Sequence, residues 1–259
     1  MAHNPSTCAM TRPGSREGQP VPKATFRYRE NGEWKETDTD KLFKGRTVAV
    51  FSLPGAFTPT CSSTHLPRFN ELAPAFRENG VDQVVCIAVN DPFVMEEWAK
   101  SQECGNVFML PDGNGVFTEK MGMLVDKSDL NFGKRSWRYS MLVRDGIVEK
   151  MFIEPDKPGD PFEVSDADTL LHYVNKDAKE PDQVAMLTRE GCPYCAKAKQ
   201  LLNDAGIAFA DIDLPHSMRT RALGAIAKAT TVPQLFVNGQ LIGGSDAVQA
   251  WVNERESGA

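Results

Sequence analysis

The chain has 259 residues, 41% hydrophobic and 25% charged, with a net charge of −6 and 6 cysteines. That length holds one large domain or two modest ones, and two is the better expectation. The composition excludes disorder throughout and a membrane span, and the acidic balance argues against a nucleic-acid partner, which needs a basic face to displace counterions.

Residues 1–20 are rich in Pro, Gly, Ser and Thr without periodicity and read as a flexible tail. The tail lacks a signal-like apolar core, which predicts a cytoplasmic protein whose cysteines are free or catalytic thiols rather than bridges. Cys8 reads as an incidental thiol, since nothing near it would activate the sulfur. From "TVAVFSL" onward, apolar strands alternate with amphipathic helices. "VDQVVCIAVN" predicts a strand, "DPFVMEEWAKSQ" a helix entered through an Asp91 cap and Pro92, and "NVFML" another strand. "RYSMLVRDGIVEKMFIE" predicts a hairpin around Asp145-Gly146, and "DADTLLHYVNK" a helix. Residues 21–174 are therefore expected to form an α/β domain with a mixed sheet.

The polar stretch "NKDAKEPDQ", broken by Pro181, predicts a linker over 175–182. Residues 183–259 then read as a second α/β domain of order βαβαββα. Its strands are "QVAMLT", "IAFADIDL" and a hairpin "VPQLFVNGQLIGG" turning at Asn238-Gly239. Its helices are "CPYCAKAKQLLNDAG", "HSMRTRALGAIAKA" and a Ser-capped "SDAVQAWVNERE".

Chemistry is expected at two cysteine settings. After "TVAVFSL" the chain turns at Pro54 and Gly55, and Cys61 falls in the expected first turn of helix "CSSTHLPRFNELAPAFREN". Free backbone N–H groups and the positive helix end there favour the thiolate. Thr58 can set its hydroxyl beside the sulfur, while Pro54 and Pro59 stiffen the loop, a setting that suits a small electrophile. The plain alternative is a buried, inert cysteine at a helix start. Cys86, inside "VVCIAV", reads as core, and Cys104, in "QECGN", as a loop thiol.

"PGAFTPTCSSTHLP" resembles the active-site segment of peroxiredoxins, whose pattern is Pro-x-x-x-Thr-x-x-Cys, and "GAFTP" and "THLP" resemble the type-five class. The resemblance runs over residues 18–175 and takes in "VNDPFVMEEWA" and "RYSMLVRDG". It implies Cys61 as the peroxidatic nucleophile, Thr58 as the hydroxyl on sulfur and peroxide, and Pro54 as the thiolate's shield. It implies Arg138 as the cation that holds the thiolate and the departing oxygen, a task suited to a permanent charge with a forked donor. Arg135 competes for that role but reads as a solvated loop charge. Two-cysteine members of the class carry a resolving cysteine late in the domain, and residues 154–181 contain none. That leaves Cys104 as the internal resolver or, as the stronger expectation, an outside thiol.

In "CPYC" a helix opens directly after a strand, so Cys192 is expected to be exposed and Cys195 one turn deeper. Zinc would need two further ligands, and only His216 stands in the neighbourhood, so no metal is expected. Residues 182–259 resemble a glutaredoxin, through "TREGCPYC", "TTVPQ" and "GGSD". The resemblance implies a glutathione site. Val232, before a cis Pro233, would offer its backbone to the tripeptide, with Thr231 and Tyr194 beside it. Arg189 would pair with the glycyl carboxylate, and Ser245 and Asp246 would take the γ-glutamyl end. Gly243 and Gly244 would let the backbone approach. Ser245 also reads as an ordinary helix cap.

Together the resemblances imply two thioredoxin-like α/β domains, peroxiredoxin then glutaredoxin, in a glutathione-dependent thiol peroxidase. Hydrogen peroxide and alkyl hydroperoxides would be reduced at Cys61, which glutathione recycles through Cys192. Glutathione would be a co-substrate with no bound cofactor, and the assembly a homo-oligomer. Two alternatives stand. One is a thiol–disulfide oxidoreductase or deglutathionylase without significant peroxidase activity. The other is a peroxide sensor or iron–sulfur carrier, the carrier disfavoured by the second cysteine of "CPYC".

Overall fold

The computed structural model describes residues 14–157 and 159–257, so Cys8 lies outside the described residues. The chain divides between Glu180 and Pro181 into two compact units. The first begins with a hairpin, β1 (Thr25–Glu30) and β2 (Glu33–Asp38), turning at Asn31-Gly32, both at positive φ. Its charged strands show no clean apolar alternation, which is why the sequence reading passed over it despite the Asn-Gly turn signal. A short helix α1 (Thr39–Phe43), capped by Asp38, leads to β3 (Thr47–Ser52). A π-helical turn, Cys61–His65, runs on into α2 (Leu66–Glu78). Then come β4 (Gln83–Ala88), α3 (Pro92–Ser101) and β5 (Val107–Pro111), with Asp91 accepting from the Phe93 and Val94 N–H groups as the helix cap. After α4 (Val116–Lys120) and the small pair β6 (Leu124–Asp126) and β7 (Lys134–Ser136), the hairpin β8 (Tyr139–Arg144) and β9 (Ile147–Ile153) and helix α5 (Ala167–Val174) complete the unit.

The five-stranded sheet has the order β5-β4-β3-β8-β9, with β3, β4 and β5 parallel and β8 and β9 antiparallel. Both faces are covered, so β3 reads as an unbroken apolar run. Ala49 and Phe51 meet α2 and α5 on one face, while Val48 and Val50 meet Phe26, Phe43 and Phe117 on the other. The end of the expected tail is bound: Gly18 and Val21 N–H donate to the Val148 and Gly146 carbonyls at 2.8 Å each. The expected linker is anchored too. Asn175 bonds Asn79, Glu180 pairs with Arg68, and Asp182 pairs with Asn238 and Arg255 in the second unit.

The second unit contains β10 (Val184–Thr188), α6 (Pro193–Asp204), β11 (Ala210–Asp213) and α7 (Arg219–Ile226). The hairpin β12 (Gln234–Val237) and β13 (Gln240–Gly243) and helix α8 (Ser245–Ser257) close it, in the expected order. Sheet order is β11-β10-β12-β13, with β11 parallel to β10. Strand β11 is shorter than its sequence suggested, because only 210–213 pair with β10. Val184 and Met186 pack on α6 and α8, and Leu187 packs toward α7.

Candidate active sites

Strand β3 delivers the chain into a loop whose Pro54 and Gly55 are buried. Asn90 Oδ1 accepts from Ala56 N–H at 3.0 Å, and Arg135 Nη1 donates to the Val89 carbonyl at 2.7 Å. Arg135 is therefore a half-buried brace, not the solvated charge expected of it. Cys61 follows in a turn already helical from Pro59, one step deeper than the expected start, and is 0% exposed. Its carbonyl accepts from Leu66 N–H, the wide i→i+5 bond of a π turn, a local form frequent at functional sites. Thr58 Oγ1 donates to the Gly55 carbonyl at 2.9 Å, so its hydrogen is committed to the loop rather than to the sulfur.

Arg138, one residue before β8 and 1% exposed, sets Nη2 3.5 Å from Cys61 Sγ. Sequence reasoning missed its other partners. Nη1 donates to His65 Nδ1 at 3.0 Å, and Nη2 donates to both Asp160 oxygens at 2.6 and 2.5 Å. His65 Nε2 donates to the Ser165 carbonyl at 3.1 Å, which leaves Nδ1 as the acceptor. Burial, then the Arg138 charge, pushes the His65 imidazole down to about 3, so it is neutral. Burial alone would push the Arg138 guanidinium down, but the Cys61 sulfur and the Asp160 carboxylate hold it above its ordinary value. The loop carrying Asp160 is closed by Glu154, whose carboxylate accepts from the N–H groups of Glu163, Val164 and Ser165 and from the Ser165 hydroxyl. Burial pushes Cys86 well above the usual thiol range and Cys104 up to about 11, so neither offers a thiolate at neutral pH.

In the second unit Cys192 is the N-cap of α6, its sulfur accepting from Cys195 N–H at 3.3 Å and lying 3.9 Å from the Val232 carbonyl. It is 6% exposed, against the exposed position expected, because the sulfur turns in against the helix start and the Val232 loop. Burial opposes ionisation of Cys192. The Cys195 thiol, the Cys195 and Tyr194 N–H groups and the Arg189 charge outweigh it and hold Cys192 below the usual thiol range. Burial pushes Cys195 up to about 11.

A cleft of about 710 Å³ opens beside Cys192, and every glutathione-contacting residue expected from the sequence lines it except Gly243. The Val232–Pro233 peptide is cis. Arg219, absent from the sequence reading, lines the cleft as a second cation. Ser245 Oγ is buried without a hydrogen-bond partner, so the capping bond expected of it is not made and a polar ligand would satisfy it. Gly243 sits at φ +131, in the region that favours glycine, and a Cβ there would stand 3.0 Å from that of Ala247. Among the described residues no group of three metal-ligating side chains occurs, and no helix is long and apolar enough to cross a membrane.

The redoxin family model matches residues 16–171, and the glutaredoxin model matches residues 184–242. The hybrid peroxiredoxin hyPrx5 of Haemophilus influenzae is 55% identical over 237 residues, 92% of this chain and 98% of that protein. A peroxiredoxin of Synechocystis is 53% identical over 62% of this chain and 92% of its own length. Reduced Prx3 of Vibrio vulnificus, in complex with hydrogen peroxide, superposes with a TM-score of 0.58 at 37% identity, over 61% of this chain and 98% of that one. With redoxin character over more than half its length and a hybrid relative matched almost end to end, the chain belongs to the peroxiredoxin family, as a hybrid carrying a glutaredoxin unit, and it is a peroxidase.

Proposed function

We propose that the chain is a glutathione-dependent thiol peroxidase acting on hydrogen peroxide and alkyl hydroperoxides. The observation that carries this reading is the fully buried Cys61 sulfur 3.5 Å from a guanidinium nitrogen, a cation placed to stabilise charge on the sulfur and on a departing oxygen. The Cys61 thiolate attacks one peroxide oxygen, the S–O bond forms as O–O breaks, and the departing oxygen takes a proton. Arg138 stabilises the charge on both oxygen and sulfur. The sulfenic acid condenses with glutathione to a mixed disulfide and water. Glutathione is too large to reach a sulfur with no exposure, so the turn carrying Cys61 opens for this step. The Cys192 thiolate then takes the glutathionyl group and frees Cys61, and a second glutathione releases it from Cys192 as glutathione disulfide. Arg189, the cis Val232–Pro233 backbone and Ser245 with Asp246 are the groups that would hold the tripeptide.

Self-association belongs to the same reading, since Phe57, Phe93, Leu130 and Phe132 expose large apolar side chains. Sedimentation over a concentration series tests that part. A peroxidase assay with glutathione as sole reductant, coupled to glutathione reductase, tests the whole. Cys61→Ser should abolish peroxide turnover while leaving reduction of a small glutathione mixed disulfide at Cys192 intact. Wild-type consumption of peroxide that glutathione cannot sustain would refute glutathione dependence.

A further inference from the structure

The arginine beside the peroxidatic sulfur is shared between two anions. Nη2 of Arg138, the nitrogen nearest Cys61 Sγ, also donates to both carboxylate oxygens of Asp160. Asp160 is not the only anchor of the Arg138 side chain and backbone. His65 holds Nη1, the Phe162 ring lies 5.5 Å from the guanidinium carbon, and the Arg138 carbonyl accepts from Glu154 N–H at 3.1 Å. Among the described residues, the titratable groups shown in contact with Arg138 are Cys61, His65 and Asp160, and His65 is neutral. What Asp160 adds is charge, and one cation divided between two anions stabilises each less than it would stabilise one.

We propose that Asp160 is a brake on Cys61: it draws on the Arg138 charge, moderates the sulfur's reactivity and protects the sulfenic acid from a second oxidation. The inference rests on Cys61 being the peroxidatic cysteine. In the second oxidation a sulfenate anion attacks another peroxide, a new S–O bond forms as O–O breaks, and sulfinate and water result. Sulfenate would be stabilised through its oxygen by the very N–H groups of Nη2 that Asp160 occupies. The device has a use here, because residues 154–181 hold no cysteine to trap the sulfenic acid quickly, and the acid must wait for an outside thiol. Asp160 is 42% exposed, so water screens part of its charge and the effect is moderate.

The test uses the full chain with Asp160→Asn and, as a second neutral variant, Asp160→Ala, against Asp160→Glu, which keeps the charge. The first readout is the rate of Cys61 alkylation by iodoacetamide from acid to neutral pH, mapped to the Cys61 peptide. The second is the fraction of Cys61 found as sulfinate, by intact mass, after graded hydrogen peroxide with glutathione present. Both neutral variants should alkylate about three- to tenfold faster in the acid range and form sulfinate at several-fold lower peroxide, while Asp160→Glu behaves as wild type. Neutral variants that alkylate more slowly, as Arg138→Met would, show that Asp160 positions the arginine and overturn the brake. Unchanged alkylation or unchanged sulfinate formation overturns it as well. Full peroxide turnover by Cys61→Ser would instead remove the assignment of Cys61, an outcome separable from these because alkylation reads the sulfur directly.

Discussion

Arg138 is an unusual residue to find at 1% exposure; both terminal nitrogens have partners, and one of them is the Asp160 carboxylate, while Nε is buried without one. Its replacement by Met should cost peroxide reduction about 2–4 kcal/mol in transition-state stabilisation. Arg135→Met should cost less, since that side chain braces the Val89 and Phe132 carbonyls rather than the sulfur. Stopped-flow peroxide kinetics on both variants decide it, and the reverse ranking would remove Arg138 from the role. His65 gives a pH prediction. The unfolded imidazole titrates near ~6.5 and the folded one at about 3, so below ~6.5 the unfolded chain binds a proton that the native one refuses. Stability contributed by neutral His65 is therefore complete above ~6.5 and is lost as pH falls toward 3, by about 1.4 kcal/mol per unit. Denaturant titrations should show that decline in wild type and a shallower one in His65→Gln, which keeps a donor and an acceptor but no titration. Equal slopes would mean that His65 is not held neutral. In the second unit, the lowered Cys192 and the Cys195 raised to about 11 predict selective alkylation of Cys192 near neutral pH. Cys192→Ser should stop glutathione-driven turnover, while Cys195→Ser retains a substantial part, because glutathione itself can resolve the mixed disulfide. Equal loss in both variants would make the dithiol route obligatory.

The π turn is the element on which the Cys61 site depends. It places Cys61 and His65 four residues apart on one face, both addressing Arg138. Trp98, in α3 and 0% exposed, donates its indole N–H to Ser62 Oγ at 3.1 Å, one residue from the sulfur. If the turn opens after oxidation, as access for glutathione requires, that bond breaks and the indole changes surroundings. Peroxide should therefore produce a tryptophan fluorescence change that disappears in Trp98→Phe and in Cys61→Ser. A change of full size in Trp98→Phe would place the movement elsewhere. Elements with strong periodicity or paired turn signals, such as β3, α3 and the Asp145-Gly146 hairpin, were legible in the sequence because local pattern and burial agree in them. The β1–β2 hairpin was not, because its strands bury little beyond Phe26 and show no alternation. At the site, the residues of "PGAFTPTC" and Arg138 were singled out through the resemblance to the peroxiredoxin segments, and the fold brings Cys61 and Arg138 together. His65 could have been found from its position four residues after Cys61 on a helix. Asp160 could not, since it reaches Arg138 through a proline- and glycine-containing loop, shaped by Glu154, that has no period to read.

At the scale of the whole chain, two units with separate cores carry the two sulfurs that, in the proposed cycle, exchange one glutathionyl group. The join is short in sequence: Glu180 pairs with Arg68 inside the first unit, Asp182 pairs with Asn238 and Arg255 inside the second, and Pro181 lies between. A tether so short keeps the local concentration of the reducing unit at roughly millimolar or above if it can reach a Cys61, and gives no benefit if geometry forbids contact. Residues 1–180 and 181–259 made as separate proteins should each fold and keep their partial reactions, Cys61 with peroxide and Cys192 with a glutathione mixed disulfide. Mixed at low, equal concentrations they should turn over peroxide more slowly than the intact chain, and excess of the second fragment should restore the rate. The measurement is the glutathione-coupled peroxidase rate across a dilution series of intact chain and of the equimolar fragments. Coincidence of the two curves down to the lowest concentration would show that the covalent join contributes nothing to turnover, and that Cys61 is recycled as readily by an unlinked partner.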